Sequence, residues 1–401
     1  MKLTRRRLLQ GTLATGLSSA LPPLARAAEG KIWTVGIIGD TDKGGYGHGL
    51  DTVWLGLPEA KIVGVSDPSE EGRAKAVERL KLGTDTAYAG YREMLAAVKP
   101  ELVAVCPRHI DQHHDMILAA IEAGAKGLYV EKPFCRDLVE ADAIVAACEK
   151  SGAKLAIAHR NRYHPVLPVI AKLVEEGAIG RLLEIRARGK EDARGGSLDL
   201  WVLGSHLLNL TRYFAGEARN VSATVLQEGR PVVAIDVKEG AEGIGPLAGN
   251  EIHARFETEK GIPVFFDSIA GAGVRETGFG LQLIGTLGVI DFRADAEPLA
   301  HYYQGSPFRP TADPKKWVPI TSGGINQPEP IADVKALVAG HQGPCRDLID
   351  AIVENRAPLC SDRDGRAIVE MTLAIFESHR QSGRIVSLPL KERRSPLALL
   401  E

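Results

Sequence analysis

From residue 31 to about 160, short runs that are apolar at nearly every position alternate with stretches of helical periodicity, and no other feature narrows the fold as far. The runs KIWTVGIIGD, AKIVGVSDP, ELVAVCP, GLYVEKP and KLAIAHR lack the alternation of a strand with one wet face, so each reads as a strand buried on both sides. Between them SEEGRAKAVERL, YREMLAAV, HHDMILAAIEAG and LVEADAIVAACEKSG read as helices. Strands alternating with helices imply right-handed crossovers, which predicts a doubly wound parallel sheet over residues 28–160.

The pattern then changes. After a helix at 164–178, RLLEIRARG, RNVSATVLQEG, EIHARFETEKG, IPVFFDSIAG, FGLQLIGTLGVIDF and AHYYQG read as strands on short turns, with one helix inserted at 198–215. A second α+β domain follows for residues 161–385, built on a large open, mainly antiparallel sheet. Residues 305–330 read as a loop, helices near 333–354 and 364–382 as a pair packing back on the body, and 386–401 as a tail.

Residues 1–27, MKLTRRRLLQGTLATGLSSALPPLARA, combine a basic start, a weakly apolar stretch and a small-residue cleavage site, the grammar of a signal peptide. Thr4-Arg5-Arg6-Arg7-Leu8-Leu9 resembles the twin-arginine signal, whose machinery exports folded proteins, so a periplasmic location is expected. Setting aside the segment's five bases takes the formal charge from -2 to -7, which gives no electrostatic case for a nucleic-acid partner. No later run is long and apolar enough to span a membrane. Cysteines 106, 135, 148, 345 and 360 show no metal-ligand spacing, and whether Cys345 pairs with Cys360 stays open.

The first strand ends at Gly39 and runs into DTDKGGYGHG, with helix character resuming near Leu50. This is not the short G-x-G-x-x-G turn, yet Gly39, Gly44 and Gly47 with Thr41 and Tyr46 form an amide-rich loop where a dinucleotide phosphate would lie. The second strand ends in Asp67, which can accept ribose hydroxyls and repel a 2'-phosphate, favouring NAD over NADP; its alternative role is a turn or helix cap.

Glu131-Lys132-Pro133 at the end of the fourth long strand, Cys106-Pro107 after the third, the segment AHRNRYHP at 158–165, the helix GGSLDLWVLGSH at 195–206 and the C-terminal stretch from Asp350 together resemble the glucose-fructose oxidoreductase, inositol dehydrogenase and MocA family, Gfo/Idh/MocA. The resemblance implies a Rossmann domain, an open-sheet second domain that forms a homodimer or homotetramer, and a carbohydrate held between the two beside NAD. It implies Lys132 as the residue polarising the reacting oxygen and His206 as acid/base. Glu131, Pro107, His113 and Arg162 are implied on the cofactor side, and Arg160, Tyr163, Asp192 and Asn209 on the substrate side. The family pattern Asp-x-Gly-x-His departs here, because its Asp position is Val202. Asp199, seven residues before His206, would share a helical face with it and could stand in. Without the resemblance, Lys132 reads equally as an ion-paired surface lysine and His206 as a core imidazole.

The expected reaction is hydride transfer between a sugar or polyol carbon and NAD. In a periplasm without a nucleotide pool the NAD would be tightly held and recycled in place. This could run by oxidising one sugar and reducing another, or by a redox-neutral glycoside cleavage through oxidation, elimination, water addition and re-reduction. A non-catalytic sugar or nucleotide binder is the remaining alternative.

Overall fold

In the computed structural model, residues 30–273, 279–310 and 313–401 are described, and the signal-peptide reading of residues 1–27 falls outside them. Strands β1 (Trp33–Ile38), β2 (Ala60–Ser66), β3 (Ala87–Tyr88), β4 (Leu102–Val105), β5 (Gly127–Val130) and β6 (Lys154–Ile157) form one parallel sheet in the order β3-β2-β1-β4-β5-β6. The order reverses between β1 and β4, and the crevice at that reversal is where open α/β sheets bind ligands. Every side chain of β4 and β5 is buried, as the uninterrupted apolar runs require.

One expected element is missing. Between β1 and β2 there is no α-helix, only the 3-10 turns Thr41–Lys43 and Val53–Gly56. Gly44, Gly45, Gly47 and Gly49 all take positive φ, and Pro58 disfavours helical backbone at Leu57, so too few residues remain to nucleate a helix.

The second sheet is mixed but mainly antiparallel, with eleven strands. Among the described residues, only Val264–Ile269 against Leu182–Arg188 is a parallel pair in it. Along Glu251–Thr258 and Val264–Ile269 burial alternates, one face packing on the helices and the other open. The helices of that covered face are Ser205–Ala215 and Asp362–Arg380. Part of the stretch read as loop contributes edge strands Val318–Thr321 and Gly324–Ile325. The expected helix near 333–354 is split into Val334–Val338 and Gln342–Val353, because His341 between them adopts a left-handed backbone.

The C-terminal residues complete the first domain rather than trail from it. Helix Gln342–Val353 carries Leu348 and Ile349 into the core beneath β1, β4 and β5, and the Ile157 N–H donates to the Cys360 carbonyl. Val386–Ser387 adds an edge strand beside Ala218–Gln227. The Leu138 N–H then donates to the Arg393 carbonyl at 2.9 Å, so residues 386–401 are built into the body. Cys345 and Cys360 are both buried free thiols.

Candidate active site

Lys132 and His206 face one cavity from opposite domains. Lys132 follows β5, just past the sheet edge, and the helix of the second domain carries His206. Between Ser197–Asp199 and Ser205–Ala215 that helix widens into a π turn at Leu200–Gly204, a distortion common at functional sites. The Lys132 ammonium donates at 2.9 Å to the Val202 carbonyl inside this turn. Around the resulting cavity of ≈ 40 Å³ stand His48, Lys132, Arg160, His206, Asp295 and His341, with Ala158 and Leu203.

Burial sets the charge states. His206 is 6 % exposed. Loss of solvent, reinforced by His159, Lys132 and Arg160, holds its pKa well below the usual imidazole value, so it is a neutral acceptor at pH 7. Burial likewise lowers Lys132, opposed by Glu131, Glu242 and Asp295. Burial alone would raise the Glu131 carboxyl, but a hydrogen bond from His48 and the Lys132 charge outweigh it and bring it to about 2. Glu131 accepts from the His48 ring at 3.0 Å and from the His48 N–H at 3.1 Å, which ties the glycine loop to β5. Arg160 is paired with Asp295 at 2.9 Å.

Several buried polar atoms here lack a partner: His206 Nδ1, both ring nitrogens of His159, and His341 Nε2. The rings of His159 and His206 meet edge to face with centroids 4.9 Å apart. Four non-glycine residues at or beside the cavity also take left-handed backbone: Glu242 (φ 57), Phe279 (φ 38), Asp295 (φ 63) and His341 (φ 59). Backbone strain and buried polar atoms gathered at one place are the pattern of a functional site.

For a dinucleotide the residues fit at both ends. Asp67 closes β2, fully buried, accepting from Thr41 Oγ1 at 2.7 Å and from the Ser69 N–H at 3.0 Å, which are positions a ribose hydroxyl could take over. Gly39 lies under the Tyr46 ring, Gly44 against Arg108 and Gly47 against Glu131. The Tyr46 ring is in turn covered by Arg79 at 4.5 Å. With no helix after β1, a pyrophosphate would meet loop amides rather than a helix terminus. The cavity holds only a water or two, against roughly 300–1,000 Å³ for small-molecule sites.

Other residues singled out in the sequence lie away from the cavity. Asp199 makes no hydrogen bond to His206: its Oδ2 accepts from Ser268 Oγ at 2.6 Å and the Glu191 N–H at 3.0 Å, while its Oδ1 and His206 Nδ1 are both buried without a partner. The π turn is the reason, since five wider-wound residues rotate Asp199 off the face it would share with His206 in a continuous α-helix. The Tyr163 hydroxyl is buried against the Cys360 carbonyl at 3.5 Å, and Arg162 stacks on Tyr213 at 4.3 Å. Asn209 donates to Cys360 Sγ at 3.2 Å. The ring nitrogens of His113 lie 2.7 and 3.1 Å from the Pro107 and Phe134 carbonyls, so it braces the ends of β4 and β5. Asp192 is a surface partner of Arg194, whose hydrogen bond lowers its carboxyl to about 2. The reading of motifs missed His48, His341 and Asp295. His48 alone carried a signal, being inside the glycine loop.

Residues 34–159 match the GFO_IDH_MocA family, described as an oxidoreductase family with an NAD-binding Rossmann fold. D-apiose dehydrogenase of Paraburkholderia graminis is 25% identical over 86% of this chain and 87% of its own. Among solved structures, levoglucosan dehydrogenase with NADH and L-sorbose superposes with a TM-score of 0.69 at 21% identity, covering 90% of this chain and 99% of that one. Aldose-aldose oxidoreductase from Caulobacter crescentus with glycerol gives 0.66 at 19%, covering 89% and 100%. With the sheet order and the strand-end Glu131-Lys132-Pro133 already in place, the family match assigns residues 34–159 to the NAD-binding Rossmann domain of the Gfo/Idh/MocA oxidoreductases, and the solved structures share the two-domain fold.

Proposed function

We propose that the protein transfers hydride between a hydroxyl-bearing carbon of a neutral sugar or polyol and NAD. The observation that carries this reading is the convergence of a buried lysine and a neutral histidine, from opposite domains, on one cavity past the carboxyl ends of the parallel strands. Bound NAD supplies the hydride acceptor. His206, kept unprotonated by burial, accepts the hydroxyl proton, and the Lys132 ammonium stabilises the charge that develops on that oxygen. Arg160 is paired with Asp295 and Glu131 is engaged by His48, which leaves Lys132 as the cation without an ion pair among the described cavity-lining residues, placed for the reacting oxygen. The carbohydrate names of the similar proteins support the same class.

Asp67 at the end of β2 favours NAD over NADP within this proposal. The basic leader supports export by the twin-arginine route to the periplasm, with NAD held tightly and recycled in place, and the exposed sheet face supports a homodimer or homotetramer. Mass spectrometry of nucleotide released on denaturing the protein purified after export should find stoichiometric NAD. An empty protein that turns over only with added NAD+ would remove internal recycling. A panel of aldoses, anhydro sugars and cyclitols followed at 340 nm, without and with a second sugar as acceptor, then tests the class. Sugar release from a glycoside with no net change at 340 nm would point to the redox-neutral hydrolase instead, and binding without any turnover to a non-catalytic binder.

A further inference from the structure

His341 is the one cavity-lining histidine delivered by the C-terminal segment, and none of the motifs leads to it. It is 2 % exposed and adopts φ 59, a left-handed backbone that costs a non-glycine residue energy and that Asn or Gly would take more cheaply. Its two ring nitrogens have opposite surroundings. Nδ1 lies 2.5 Å from the Tyr129 hydroxyl, whereas Nε2 is buried without a partner in the wall it shares with Lys132, His206, Arg160 and Asp295.

The tautomer follows from satisfying Tyr129. That side chain is fully buried on β5, two residues before Glu131 and so on the same side of the strand, with its ring held edge-on by Trp54 at 6.4 Å and by His341 at 5.9 Å. Its hydrogen bond to His341 is the one recorded for the phenol among the described residues. A proton on Nδ1 would strand the phenolic hydrogen in the core, out of reach of any ligand, whereas a proton on Nε2 lies in the cavity wall, where an oxygen of a bound molecule can accept it. The phenol therefore donates, Nδ1 accepts, and the proton of the neutral ring sits on Nε2.

We infer that His341 is a substrate-binding residue that presents a fixed Nε2–H donor to an oxygen of the carbohydrate, with Tyr129 as the positioning residue that sets its tautomer. This rests on the carbohydrate oxidoreductase reading above. It assigns opposite roles to two neutral imidazoles in one cavity: His206 accepts a proton and His341 donates a hydrogen bond, so a substrate oxygen beside each is held in a defined orientation.

The test labels the histidines with 15N and assigns the His341 resonances by comparison with His341→Gln. The wild type should show protonated Nε2 and bare Nδ1, and Tyr129→Phe should give a mixture of tautomers. Titrating the NADH-loaded protein with L-sorbose, levoglucosan and glycerol should shift the Nε2–H signal. On whichever panel sugar is oxidised, His341→Ala should lower kcat/KM by roughly ten- to a hundredfold, His341→Gln should recover part of the loss through its amide N–H, and NADH affinity should not change. A proton on Nδ1 in the wild type overturns the assignment, as does a ligand that shifts His206 and leaves His341 unmoved, whether or not any sugar is turned over. Protonated Nε2 in a protein that oxidises no carbohydrate upholds the tautomer and instead faults the substrate class.

Discussion

Lys132 Nζ meets the main-chain oxygen of Val202 at 2.9 Å. The Val202 side chain is apolar, yet its backbone carbonyl reaches the Lys132 ammonium. The contact spans the cleft between the domains, so the lysine is held by the element that carries His206. Replacing Lys132 with Met, which keeps the volume and removes the charge, should lower kcat/KM by about 10²- to 10⁴-fold while NAD binding measured by calorimetry persists. Retention of full turnover by Lys132→Met would remove it from the chemistry.

Asp199 serves the fold. Its carboxylate takes hydrogen bonds from Ser268 and from the Glu191 N–H at a site with no solvent exposure. Asp199→Ala strands both donors and should cost about 2–4 kcal/mol in urea unfolding. The surviving enzyme should keep the wild-type pH profile of kcat/KM, and a displaced profile would restore Asp199 as the partner of His206.

The loop at 40–49 is closed by contact as much as by conformation. Gly47 sits at φ 61, and a Cβ there would lie 2.3 Å from Glu131 Oε2. Gly47→Ala should destabilise the protein by roughly 1–2 kcal/mol through backbone strain and break the His48–Glu131 tie. The expected readouts are a lower Tm and weaker NAD binding, with an unchanged Kd for NAD arguing that the loop does not touch the cofactor.

Four buried histidines make stability depend on pH. Burial brings His159 to about 3 and His341 to about 4, holds His206 well below 6.5 and lowers His164. Each folded pKa is depressed, so the unfolded chain takes up protons that the native state refuses. The stabilisation is complete above pH 6.5 and is lost as pH falls from there toward the folded values. Each contributes on the order of 1 kcal/mol per pH unit in that window. Urea midpoints should therefore drop steeply between pH 6.5 and 5, and His159→Phe should flatten the slope by about a quarter. A flat profile over that range would mean the imidazoles are already charged in the folded protein.

The parallel sheet was legible in the sequence because strands buried on both faces leave unbroken apolar runs, and Lys132 was legible because a strand end carries its own short motif. Asp67 could be read from the same logic, its position following directly from the end of β2. The missing helix after β1 was not, since the pattern near Leu50 is compatible with one and only the backbone of the glycines forbids it. The π turn defeated the Asp199 expectation because a count of seven residues assumes a uniform helix. His341 and Asp295 meet Lys132 only through tertiary folding, and spacing along the chain holds no trace of contacts such as Tyr129 with His341, 212 residues apart.

The hydrogen bond from Leu138 to Arg393, together with helix Gln342–Val353 beneath β5, has a bearing on how the chain reaches its native state. The half of the molecule translated first lacks part of its own core until residues 342–353 have been made, and a chain cut at residue 385 would lose the edge strand Val386–Ser387 and the Leu138–Arg393 tie.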